Sequence, residues 1–177
     1  MQKFHVIIAW LVLLLLILHL IMGSVTLLSP VFLLQSQFAV VFLGFVCVHG
    51  ALALWKTLGR KKPRALLSYA GRNRVLWVRV LSGAAILILA FIHRTLWTIR
   101  TPFGVLLRDF EWPSLLAQEL LTAALLIHIL LNLRPLLMDS GLESGGRLLR
   151  GMIGVTLALG ALAVAGAAAY YFSGGAA

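Results

Sequence analysis

Apolar residues fill this chain in five long runs, and short polar or charged connections separate them. The runs extend from about Phe4 to Gly23, Phe38 to Trp55, Leu76 to Trp97, Trp112 to Leu133 and Leu148 to Phe172. About 20 apolar residues in helical form cross the hydrocarbon layer of a bilayer, so each run predicts one membrane-spanning helix. The third has arginine at both ends and the aromatic anchors Trp77 and Trp97. Pro113 stands at the start of the fourth, where proline suits a helix. Arg134-Pro135 is expected to end it, leaving residues 138–146 as a loop. The predicted fold is an all-α integral membrane bundle of five helices, one domain spanning residues 1–177.

Composition agrees with this pattern. Hydrophobic residues make up 62% of the chain, and fifteen Lys and Arg face only five Asp and Glu, for a net charge of +10. Such a charge invites a nucleic-acid partner, but the basic residues lie in the connections, where they orient membrane helices instead. With the N-terminus inside, twelve Lys and Arg fall on the inner side and three (Arg94, Arg100 and Arg108) on the outer. The chain is therefore expected in the cell (inner) membrane, multi-pass, N-terminus cytoplasmic and C-terminus outside. The first apolar core, Val6 to Met22, exceeds the roughly 7–15 residues of a signal-peptide core and lacks an A-x-A-like cleavage site, so it reads as a retained span. Cys47 is the single cysteine, so neither an internal disulfide nor a C-x-x-C-H haem attachment site exists.

Four of the runs carry a histidine inside the apolar zone, where an ionisable group is costly and marks function by default. His19 and His93 lie late in outward-running helices, and His49 and His128 late in inward-running ones. At about 1.5 Å rise per residue, the two levels stand roughly 10–15 Å apart. Each level receives one imidazole from each of two helices, which is what the two axial positions of a haem iron require. Without C-x-x-C-H the haems are non-covalent, hence two stacked b haems. Gly83, Gly44 and Gly50 would let a flat macrocycle lie close to a helix backbone. A lone histidine in a membrane helix is often a hydrogen-bond partner for its neighbour, and zinc also takes histidine, though it needs three or four ligands at one level. His5, at the inner boundary, reads either as an interfacial residue or as a contact to a propionate of the inner haem. Met22 reads as a lipid or core methionine.

This pattern resembles the single-chain dihaem cytochrome b subunit, the membrane anchor of succinate dehydrogenase and fumarate reductase complexes. In that family one chain crosses the membrane five times, with one haem-ligating histidine in each of the first four helices. Trp77 with Ser82-Gly83 and His93 is similar to the family's third helix. His49-Gly50 and the basic, Pro-containing connection after it are similar to the second. His128, His19 and the Gly/Ala-rich fifth run fit the remainder. The resemblance implies His49 with His128 at the inner haem and His19 with His93 at the outer, the pairs that depth gives independently. Two positions depart from some members: the first outer connection has no acidic residue, and Leu126 stands where a glutamate serves transmembrane proton transfer.

What the resemblance implies for function is electron transfer between membrane quinone or quinol and cytoplasmic iron–sulfur and flavoprotein subunits. Dimers of the whole complex are compatible with it. The chain has neither a flavin site nor an iron–sulfur cysteine set, so dicarboxylate chemistry belongs to those partners. The basic connection from Lys56 to Arg79 reads as a topology signal and as a docking surface for the iron–sulfur subunit. Arg64, Arg72, Arg74 and Arg134 are candidates to neutralise haem propionates, and Trp77 either anchors or donates a hydrogen bond there. A quinone needs an apolar slot with a few polar groups; Gln37, Arg94, Trp97 and Arg100 are the candidates near the outer haem, with Gln35 beside them and Asp109 or Glu111 as proton carriers. A naphthoquinone of the menaquinone type suits outer-side quinol oxidation. Glu119 reads as a packing residue or a proton relay, and Cys47 as inert. Gly151, Gly154, Gly160 and Gly166 predict close packing of the fifth helix. Two rival functions remain: a cytochrome b anchor of a hydrogenase or formate dehydrogenase, and a non-haem membrane protein whose histidines serve packing or proton relay.

Overall fold

The computed structural model describes residues 2–28, 35–58, 74–101, 104–107, 111–142 and 146–173. They form α1 (Gln2–Leu28), α2 (Gln35–Leu58), α3 (Arg74–Trp97), β1 (Thr98–Thr101), β2 (Gly104–Leu107), α4 (Trp112–Asp139) and α5 (Arg147–Phe172). The helices hold 24 to 28 residues, about 36–42 Å of length, against a hydrocarbon thickness of about 30 Å. All five are long and apolar enough to cross a membrane. A helix meets that environment because it satisfies its backbone polar groups within itself. Large apolar side chains such as Leu81, Ile88, Val155 and Leu162 cover the outside of the bundle. The chain is built as a multi-pass membrane protein.

Helix α4 sits at the centre of the packing, against α3, α5 and α1, while α1 also packs on α2. Contact between α2 and α3, and between α1 and α4, is sparser. A small core of Ile86, Leu121 and Ala124 forms between α3 and α4, with Val46 of α2 beside it. Leu133 and Leu137 are the largest side chains fully buried.

Two expectations are corrected. Pro135 does not end α4, which continues to Asp139. Gly141 adopts φ 75°, while Leu142 N–H donates to Leu137 O at 2.9 Å and Gly141 N–H to Met138 O at 3.0 Å. This is the left-handed glycine stop that satisfies the last carbonyls of a helix, so glycine rather than proline sets the boundary. The connection after α3 is also more than a loop. β1 and β2 pair antiparallel with Thr98 opposite Leu107 and Thr101 opposite Gly104.

Of the four glycines expected to bring α5 close to a neighbour, Gly160 does so. A Cβ there would lie 2.6 Å from Cδ2 of Leu126, whereas Gly151, Gly154 and Gly166 would meet nothing within 4 Å. Gly160→Val is expected to destabilise the bundle by about 1–3 kcal/mol, and adding Leu126→Ala should recover much of it. Thermal melts of the two variants in detergent check this; equal melting temperatures would show that the helices simply slide past the clash.

Candidate functional site

A cavity of about 920 Å³ runs along the middle of the bundle, at the upper end of the range for single small-molecule sites. All five histidines line it, because each helix turns one i, i+3, i+4, i+7 face inward. Rings from different helices stand near one another along it. The rings of His19 and His93 have centres 6.2 Å apart, inclined at 77°. Those of His49 and His128 are 6.4 Å apart, inclined at 87°.

These spacings allow a test for a ligated metal. An imidazole nitrogen lies about 1.1 Å from its ring centre, and metal–imidazole bonds run to about 2.0–2.1 Å, the zinc value. Two rings on opposite sides of one metal therefore have centres about 6.3 Å apart, and both pairs sit at that distance. Among the described residues no three His, Cys, Asp or Glu converge as ligands for one ion. Two imidazoles at each level are the number that the two axial positions of a haem iron take. Cofactor sites of helical bundles are built in this way, from side chains on facing helices.

His128 has a defined tautomer. Its Nδ1 lies 3.2 Å from the carbonyl oxygen of Arg79 and 3.1 Å from Oγ of Ser82. A carbonyl only accepts, so Nδ1 carries the proton and Nε2 keeps its lone pair. A backbone carbonyl on the far nitrogen is the usual support of a metal-binding histidine. His19 and His49 each keep a buried Nδ1 with no hydrogen-bond partner among the described residues. Burying such a group unsatisfied costs about 1–3 kcal/mol. Phe42 and Phe38 pack on the His19 ring, and Gln118 lines the cavity with His93. The residues present fit haem.

The small residues divide their roles. A Cβ at Gly83 would stand 3.2 Å from Cε1 of His128, so this glycine makes room for the imidazole itself. Gly50 admits Leu87 of α3, Gly44 faces open space, and Gly166 opens onto the cavity. His5 stacks on His49 with ring centres 5.1 Å apart and planes 11° apart. Near that end, Lys56 pairs with Asp139 at 3.7 Å, and Trp10 donates from Nε1 to Oγ of Ser140 at 2.8 Å.

Of the other residues singled out from sequence, Gln37 and Arg94 line the cavity. Trp77 is not on its wall and keeps a buried ring nitrogen without a partner among the described residues. Arg134 is exposed and stands off the cavity. Arg64, Arg72 and Asp109 lie outside the described residues, as do the side chains of Gln35, Trp97 and Arg100. The sequence reading missed Arg79, Gln118 and Asn132, which all line the cavity. No protein-family model, curated protein or solved structure matches the chain.

Proposed function

We propose that this chain is a membrane-anchor cytochrome b holding two b haems, one between His19 and His93 and one between His49 and His128. The observation that carries this reading is the recurrence of one geometry. Two histidine pairs, each drawn from two different helices, open at axial-ligand spacing onto one cavity. Haem bound there supplies one-electron redox chemistry. The chain's own part is to hold the imidazoles neutral and oriented, and to keep water out with apolar walls.

The resemblance to the dihaem anchors of succinate dehydrogenase and fumarate reductase makes the partners cytoplasmic iron–sulfur and flavoprotein subunits. Electrons then pass between those subunits and a quinone or quinol in the membrane. With the N-terminus cytoplasmic, as the charge bias requires, the His19–His93 pair lies toward the outer side. Gln37 and Arg94 on the cavity wall are the polar groups that a menaquinone-type ring would meet there.

A reduced-minus-oxidised spectrum of the purified protein, with haem extracted and counted, tests the proposal. The expected result is b-type bands and two haems per chain. Well-folded protein from haem-replete cells without such bands would return the histidines to packing or proton relay.

A further inference from the structure

We infer that Arg79 is a positioning residue for His128, acting through the carbonyl that Pro135 leaves free. Proline has no N–H to donate to the residue four positions back, so Pro135 deprives Leu131 O of its helical partner. Arg79 of α3 fills that gap, its Nη2 donating to Leu131 O at 2.8 Å. The main-chain oxygen of the same arginine accepts a hydrogen bond from Nδ1–H of His128. Ser82 Oγ lies 3.1 Å from both that oxygen and that nitrogen. One residue of α3 therefore grips α4 twice, at the side chain of 128 and the carbonyl of 131, one turn apart.

The two grips have distinct consequences. The guanidinium contact fixes how far α3 slides along α4, and thereby whether the Arg79 carbonyl stays within reach of the imidazole. The carbonyl contact selects the tautomer that turns Nε2 to the cavity. Arginine is effectively always charged, and Arg79 lies on the cavity wall. A fixed cation beside a redox centre favours its reduced, less positive state. The effect on the His128 haem rests on the function proposed above, whereas the grip on the proline-freed carbonyl does not. A positive charge that served topology alone would have no reason to couple to Pro135.

The test is a cycle of the full-length chain in detergent: wild type, Arg79→Gln, Pro135→Ala and the double variant. Arg79→Gln is expected to lower the melting temperature by about 5 °C, the order expected for one lost hydrogen bond to a charged group in a chain of this size. With Pro135→Ala in place, residue 135 regains an N–H for Leu131 O, and the same arginine substitution should cost less than half as much. Equal losses on the two backgrounds would overturn the coupling. If Arg79→Gln does not accumulate, Arg79→Lys, which keeps the charge without the planar fork, replaces it in the cycle.

The second readout is a potentiometric titration of the haems. Arg79→Gln should make one centre about tenfold harder to reduce, 59 mV for one electron, and leave the other unmoved. The shifted centre should be the one that His128→Ala removes. No shift, or an equal shift in both, overturns the positioning role. Absence of b-type bands in the wild type defeats the haem reading instead, and the melting cycle still decides the grip.

Discussion

On the proposed two-haem function, purified His93→Ala protein should carry one haem per chain instead of two. The ring of His93 pairs with that of His19, and the second pair draws on different supports. His128 is held by Ser82 and the Arg79 carbonyl, and Ser82 and Arg79 precede His93 by eleven and fourteen residues, about 16–21 Å of helix. Removing one axial ligand from the His19 site should therefore leave the His49–His128 site spectrally intact. His19→Ala should give the same product, since either substitution breaks the same pair. The check is haem extraction together with a difference spectrum on the monodisperse fraction from gel filtration. Loss of both haems in equal measure from a still-folded protein would reject the pairing.

The mirror-image loss is expected from a residue that touches no metal. A Cβ on Gly83 would stand 3.2 Å from Cε1 and 3.5 Å from Nδ1 of His128, inside or at the edge of the 3.5–4.0 Å at which carbon atoms pack well. Alanine asks the ring to shift by a few tenths of an ångström. Valine adds two branched methyls with one strongly preferred helical rotamer, and they take the space of the imidazole. Gly83→Val should thus weaken haem binding at the His49–His128 site on the order of 10–100-fold, the scale seen when support of a metal ligand is lost, and spare the His19–His93 site. Gly44→Val, at an exposed glycine with nothing within 4 Å, serves as the control and should keep both haems. Titration of the apoproteins with haem measures the difference, and unchanged occupancy in Gly83→Val would show that His128 has another place to stand.

Much of this architecture is legible in the sequence because the bilayer imposes simple rules. Runs of about 20 apolar residues must be helices, and the histidine pairs follow from counting residues along them. The inward faces were legible in part. On α3, Arg79, Gly83, Ile86, Ala90 and His93 follow helical spacing, as do Gln118, Leu121, Leu125, His128 and Asn132 on α4, and all ten line the cavity. Repeated steps of three or four residues back along each helix, from His93 and from His128, lead to Arg79 and Gln118. Arg79 escaped because a cation at a helix entrance already has a sufficient explanation in topology. The end of α4 escaped because the cost of an internal proline depends on whether a distant residue can satisfy the freed carbonyl, which no local pattern records. The room at Gly83 was visible, but which flat ring occupies it depends on how two helices face each other.

One property of α2 bears on how the protein is made. No side chain from Gln37 to Thr57 is fully buried, and this helix meets α1 broadly but α3 only sparsely. A membrane chain emerges N-terminus first, so α1 and α2, which pack chiefly on each other, enter as a hairpin before α4 exists. The fastenings of that hairpin arrive with the last turns of α4, where Asp139 meets Lys56 and Ser140 meets Trp10. Until the ribosome has delivered those residues, the two contacts that tie the end of α4 to the first two helices cannot form. Closure of the cavity, whose wall draws on all five helices, is therefore among the last steps of assembly.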